Sequence, residues 1–379
     1  MANPLKLVVA LALLIPETTV AATLCVNPGG TGGCFSTIQA AVDAAGPDDV
    51  IDIAAGTYER VVVRNEKRLT LAGAGSADTI LEHSAGGGFG SVLLVGGQVT
   101  ASGLTLRNGG VGASLGGRAS LTLVDCVVTG NANGGIASDQ FPYQDSRTLL
   151  KLTVIDSTIS DNGLAPTEDP LGGIAVAGTV TTIVGSTISG NNALLGGGIR
   201  AINRSRVVVR ASTISDNTAA QGGALDALVS RVSLLETTVV GNAAGNIAGG
   251  LRVDNLARIR VRASIVADNV QHTAGTPSDN DCVLVPSFAG APQGRVTSLG
   301  YNVIESGCPE TRGSVLRDVT GADPLLGPLQ DNGGPTHTHA LLAGSPALAL
   351  VPTRRLCAMP DQRGVVRPTP CDSGAFEAP

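Results

Sequence analysis

One phrase recurs six times between Leu121 and Asn269: LTLVDCVVTGN, LTVIDSTISDN, TTIVGSTISGN, VVVRASTISDN, SLLETTVVGN and IRVRASIVADN. Each copy is a strand-length apolar run ending at Asn131, Asn162, Asn191, Asn217, Asn242 or Asn269, so successive asparagines lie 31, 29, 26, 25 and 27 residues apart. A period in this range marks a solenoid, in which each repeat buries its apolar face only against its neighbours. The runs are rich in β-branched residues and alternate with period two, which argues for strands and against helices.

The columns within the phrase set the register. Three residues before each asparagine stands Val128, Ile159, Ile188, Ile214, Val239 or Val266, an apolar column that must point inward. Five residues before it stands Cys126, Ser157, Ser186, Ser212, Thr237 or Ser264, a small-residue column in which Cys126 takes a serine's place. Immediately before it come Gly130, Asp161, Gly190, Asp216, Gly241 and Asp268, so that glycine separates every pair of carboxylates. Glycine clusters at 134–135, 172–173, 196–198, 222–223 and 249–250 suit tight corners. Parallel strands stack about 4.8 Å apart, and asparagines at that spacing bond amide to amide along a ladder. The expected fold is all-β: a single right-handed parallel β-helix, the hand following from the crossover preference of parallel strands.

Composition agrees with an elongated body of strands and turns: 379 residues with 51 glycines, no tryptophan and only 2% aromatics. The formal net charge of −6 gives no overall basic footprint, so nucleic acid is not an expected partner. Residues 1–22 read as a secretory signal, with Lys6, an apolar run from Leu7 to Ile15, and cleavage expected after Ala22. That run is too short for a stable transmembrane anchor, and no other membrane segment follows in the mature chain. A secreted or extracytoplasmic location, with surface association open, is the expectation. Export permits disulfides, and Cys25/Cys34, Cys282/Cys308 and Cys357/Cys371 are local pairs that leave Cys126 over. A metal site is the competing reading, although the close paired knuckles of zinc modules are missing.

Taken in order, residues 23–48 form an N-terminal cap whose short helix starts at a capping box of Ser36 and Gln39. Residues 49–270 form the coils, and 271–379 the last irregular coils and a disulfide-pinned C-terminal cap. Asn108 resembles a ladder asparagine, with its apolar neighbour two residues back instead of three. Insertions at 139–147 and 164–170 break the period, and loops on a rigid scaffold are where function tends to sit.

The tail DPLLGPLQDNGGPTHTHALLAGSPAL, then CAMPDQRGVVRP and CDSGAFE, resembles the choice-of-anchor Q domain family of bacterial secreted β-helix proteins. SLGYNVI upstream, and STIQAAVDAA and AAGTY near the N-terminus, are similar to the same group, which lies within the pectate-lyase-like superfamily. The resemblance implies export and a β-helix, and brings no established catalytic residues. His337 and His339 alternate in PTHTHAL and could share one side of a strand as metal ligands, whereas the resemblance implies an architectural role for the segment.

Two functional readings follow. The first is a secreted or cell-surface interaction or adhesion module without catalysis, whose partner is a polysaccharide or another surface component. The second is a polysaccharide-active enzyme or carbohydrate binder of the pectate-lyase type, acting on a uronate polymer with or without calcium. A lyase of that type needs a base to take the proton beside the carboxyl group. Arg200, Asp226 and Arg252 are the best candidates for that chemistry, with Asp254 nearby. Asp139, Asp145, Glu168 and Asp169 in the insertions are candidate ligand-binding residues, and Asp125 and Asp156, one repeat apart in one column, are candidate calcium ligands. No other cofactor is expected. In the tail, Asp361, Arg363, Asp372 and Glu377 are expected to form ion pairs.

Overall fold

A computed structural model describes residues 21–64, 67–83, 90–138, 150–164, 169–273, 276–285, 293–307 and 317–379. Residues 1–20, which include most of the expected signal, the 139–147 insertion and most of the second insertion lie outside them. The chain winds through three long parallel sheets of eleven, nine and eleven strands. One turn illustrates all of them. Thr179–Val184 lies in sheet A, Thr187–Ser189 in sheet B, and Ile199–Ile202 in sheet C, after which Arg206–Arg210 returns to sheet A one level up. Between B and C a short strand, Asn192–Leu195, belongs to a smaller side sheet, sheet D. Ladder strands begin at Thr23–Val26 and continue to Val319–Thr320, so coils extend on both sides of 49–270.

The inward column is as read. Val128, Ile159, Ile188, Ile214, Val239 and Val266 are all fully buried and pair in register from coil to coil. They join inward residues of sheets A and C in one continuous apolar core. Beside them runs the asparagine ladder. The Nδ2 of Asn131, Asn162, Asn191, Asn217 and Asn242 each donates to Oδ1 of the next asparagine at 2.8–2.9 Å. The same Oδ1 accepts the backbone N–H of the preceding asparagine, as from Asn162 to Asn191 at 3.1 Å. Asn191→Ala removes one rung and strands the buried backbone N–H of Asn162, whose side-chain amide keeps Val128 O and Ser160 O. The expected loss is about 1–3 kcal/mol in urea unfolding, and an unchanged midpoint would show that the ladder carries no stability.

The small column forms a second ladder. Ser157 Oγ accepts Cys126 N–H at 3.0 Å, Ser186 Oγ accepts Ser157 N–H at 3.2 Å, and Ser212 Oγ accepts Ser186 N–H at 3.1 Å. Cys126 stands in this column as a free, buried thiol, and burial pushes it up to about 11. The glycine–aspartate column has a cause beyond charge separation. Its residues have φ between 54° and 69° from Gly130 to Asp268, the left-handed region open to Gly, Asn and Asp. Alternation then gives each carboxylate room, since a Cβ on Gly190 would sit 2.6 Å from Asp161 Oδ1. Asn108 occupies this corner column with φ 60°, and its amide reaches Glu82, so it is not a rung.

The glycine clusters at the entry to sheet C serve close approach more than corner angles. Gly196 has φ 68°, but at Gly198 the demand is for space, because a Cβ there would meet Ala224 O at 2.7 Å and Ile214 Cγ2 at 2.9 Å.

The N-terminal coil is plugged by helix α1 (Ile38–Ala44), which buries Ile38, Ala41 and Val42. Its N-cap is Thr37, whose Oγ1 accepts Ala40 N–H at 3.2 Å, not Ser36. Gln39 is unavailable for a capping box because its Oε1 accepts Val62 N–H at 2.8 Å. Lys67 Nζ caps the other end by donating to the carbonyls of Val42, Asp43 and Ala45.

The C-terminal segment carries the Cys357–Cys371 disulfide, and Cys25–Cys34 forms near the start. The segment does more than finish the last coil. It folds back along the outer face of sheet B, where it buries Thr187, Thr213, Ser215 and Thr238. Gln362 anchors it: Nε2 donates to Thr187 Oγ1 at 2.8 Å, and Oε1 accepts from Thr213 Oγ1 at 2.7 Å. Cys282, expected to pair with Cys308, has a free buried thiol in the core, and Cys308 lies outside the described residues.

Candidate active face on sheet C

Sheet C strands read GGIRAI, GGALDAL and GGLRVD. Ile199, Ala201, Leu225, Ala227, Leu251 and Val253 face inward and are fully buried, which turns Arg200, Asp226 and Arg252 outward. Their strands pair in register, so the three stand in one column on adjacent coils. Upstream the same column runs through Leu94, Ser114, Ala137 and Ala175, small or apolar residues that leave a cavity of about 300 Å³ ending at Arg200.

The charges are arranged as a lattice. Asp226 is 1% exposed and accepts from Arg252 Nη1 at 2.6 Å, while Arg200 Nε lies 3.8 Å from its other oxygen. Arg252 Nη2 also donates to Asp254 at 2.8 Å. Burial pushes the Asp226 carboxyl up, and the two arginines pull against that shift. Among the described residues the Arg200 side chain makes no hydrogen bond, and its Nε is buried without a partner. An arginine accepts a proton only as the neutral guanidine, whereas here the Arg252 side chain is committed as a donor to both Asp226 and Asp254. Asp226, sealed beneath its partners, has no approach for substrate. What the face can do is hold an anionic group at Arg200, where donors meet an apolar cavity.

Other candidates lie elsewhere. Asp125 and Asp156 occupy the corner between sheets A and B with φ of 50° and 48°. Burial, then repulsion from Asp125, raises the Asp156 carboxyl, so the two do stack. Among the described residues no three of His, Cys, Asp or Glu gather to hold a metal ion. Asp169 is exposed, and Asp139, Asp145 and Glu168 lie outside the described residues. His337 is exposed while His339 is buried, its Nε2 2.8 Å from Ser215 Oγ and its Nδ1 2.8 Å from Gly327 O. Arg363 pairs with Asp361 at 2.7 Å, but the partner of Glu377 is Arg367, which the sequence reading passed over. These contacts place the tail motifs in the architecture of the C-terminal segment that folds back on sheet B, a strap across its outer face.

A second group missed from sequence is Asp281, which ends the asparagine ladder. Its Oδ1 accepts Asn269 Nδ2 at 2.8 Å, and its Oδ2 accepts Ser306 N–H at 2.7 Å. Burial outweighs these donors and raises the carboxyl from 3.8 to about 6. The folded state therefore binds the extra proton between those values, so this group's stabilisation is full below the lower one and is lost as pH rises through the upper one. Asp281→Asn removes the titration. From about pH 4 to about pH 7 the wild type should lose about 3 kcal/mol relative to the variant. Denaturant unfolding across that range measures it, and a pH-independent difference would contradict the assignment.

The family model described as "Right handed beta helix region" matches residues 90–282. The chain belongs to the right-handed β-helix family. No curated protein matches this β-helix protein in sequence. Among solved structures it is similar to pectate lyase Pel9A, at 13% identity over 96% of this chain and 97% of that one, with a TM-score of 0.57. An alginate lyase from Paenibacillus sp. str. FPU-7 is 14% identical over 79% of this chain and 98% of that one, with a TM-score of 0.48. A pectin methylesterase from carrot is 15% identical over 81% and 86%, with a TM-score of 0.37. At such identities the likeness to Pel9A is one of fold, and fold alone does not carry an activity.

Proposed function

We propose that this β-helix protein is an exported, non-catalytic interaction module that binds an acidic carbohydrate on sheet C, with Arg200 as its anchoring cation. The observation that carries the reading is the closed pairing of Asp226 with Arg252, which leaves Arg200 as the one of the two arginines that opens on the cavity. The disulfides Cys25–Cys34 and Cys357–Cys371 support an oxidising, extracytoplasmic compartment, and export would use the signal at residues 1–22. Among the described residues no helix is long and apolar enough to cross a membrane. The choice-of-anchor Q resemblance of the tail belongs to the same reading, as a surface-associated family.

Calorimetric titration with a galacturonate trimer tests the site. Binding should persist without calcium, and Arg200→Gln should weaken it about tenfold. Equal affinity for wild type and variant would sink the assignment of Arg200.

A further inference from the structure

A different face carries a row of positive charge that has no carboxylate partner among the described residues. On the outer side of sheet A, Arg206, Arg231, Arg258 and Arg295 are direct register partners on four successive strands. Arg260 stands beside them on the strand Arg258–Arg262, and Arg204 in the turn before Arg206. All six are exposed, and none makes an ion pair or side-chain hydrogen bond among the described residues. Like charges directly opposite one another on adjacent strands repel and destabilise a sheet, and these are about 4.8 Å apart.

The same strands contain their own control. At their far ends Arg210 and Arg262 flank Glu236, at 4.0 and 3.2 Å, so at that edge a carboxylate stands between the arginines. Elsewhere Arg68, Arg107, Arg252, Arg363 and Arg367 are each matched to a carboxylate. In a chain of net charge −6, this column brings four arginines into register with no carboxylate partner among the described residues. It borders shallow depressions of about 340 and 510 Å³, floored by Ser230 and Ser233 between the arginines.

We propose that this column is a binding surface for a linear acidic glycan, laid along the solenoid axis with one anionic group per coil. The repeat between arginines is close to the length of one sugar unit in an extended chain, so carboxylates or sulfates on successive sugars meet successive guanidinium groups. Arginine pairs bidentately with either group. Single-stranded nucleic acid would instead need aromatic platforms for its bases, and no aromatic residue lines either depression. The surface is separate from Arg200 and does not depend on what sheet C does.

The test is calorimetric titration of the full chain with polygalacturonate and, separately, heparin, which distinguishes carboxylate from sulfate recognition. Oligothymidylate of matched charge and anionic phosphatidylserine vesicles are the competing probes. The Arg231→Gln, Arg258→Gln double variant should bind the preferred glycan about tenfold more weakly and with a shallower salt dependence. Arg355→Gln, an exposed tail change, should leave binding unaltered, and running the titrations in an Arg200→Gln background removes any contribution from sheet C, so that failure of one surface is distinguishable from failure of the other. Undiminished glycan binding by the double variant overturns the proposal. So does a lack of binding to both glycans at low salt, or tighter binding to oligothymidylate or vesicles.

Discussion

Replacing Ile214 with aspartate should lower the unfolding free energy by about 3–5 kcal/mol, because an uncompensated charge would be buried in the inward column. Ile214 is fully buried between Ile188 and Val239, and its Cγ2 packs against the space that Gly198 leaves open. The nearby polar side chain, Asn217, already spends its amide on Asn242, Ile188 O and Ser215 O. No neighbour in that column can solvate a carboxylate. Ile214→Val, which keeps the apolar character, should cost only about 0.5–1.5 kcal/mol. Each coil touches only its neighbours, so the aspartate should also split urea unfolding into separate steps for the two halves of the solenoid. Equal effects from both substitutions would mean that the column does not face the core.

Arg367→Leu should have the second large effect, confined to the strap on sheet B. Arg367 is 4% exposed and donates to Glu377 Oε2 at 2.9 Å, to Asp372 O at 3.1 Å and to Gly374 O at 2.7 Å. Removing it leaves Glu377 charged and buried, at a cost of about 3–5 kcal/mol. The strap should come away and expose Thr187, Thr213 and Thr238, which limited proteolysis would report as early cleavage in the tail. Adding Glu377→Gln should recover much of the loss, since the stranded charge is then gone. A tail that stays as protected as in the wild type would contradict the role assigned to this pair.

The parts of the fold legible in sequence are those that repeat. The ladder asparagines, the inward column and the serine column recur at one coil's length, and stacking turns that period directly into contact. The same logic brought Arg200, Asp226 and Arg252 together. Asp281 escaped because it is an aspartate only 12 residues after Asn269, beyond a small antiparallel excursion of Val270–Thr273 against Thr276–Asp279. The strap escaped for a different reason. Its bonds span long stretches of chain, 175 residues from Gln362 to Thr187 and 124 from His339 to Ser215, and no local pattern encodes them. The helix start was misplaced by one residue because Ser36 and Thr37 are both good caps, and Val62 decides the matter by claiming Gln39. The arginine column was hidden by summation, since a net charge of −6 says nothing about which residues share a column.

The central claim is that Arg200, Asp226 and Arg252 form a charge lattice and not a proton-transfer apparatus. An ultraviolet time course on polygalacturonate and on alginate, each with and without calcium, tests it most directly, because eliminative cleavage creates an absorbing unsaturated uronate at every break. The account predicts a flat trace under all four conditions at protein concentrations that saturate the glycan. A rising trace that disappears in Arg200→Ala, with the variant still folded, would contradict it.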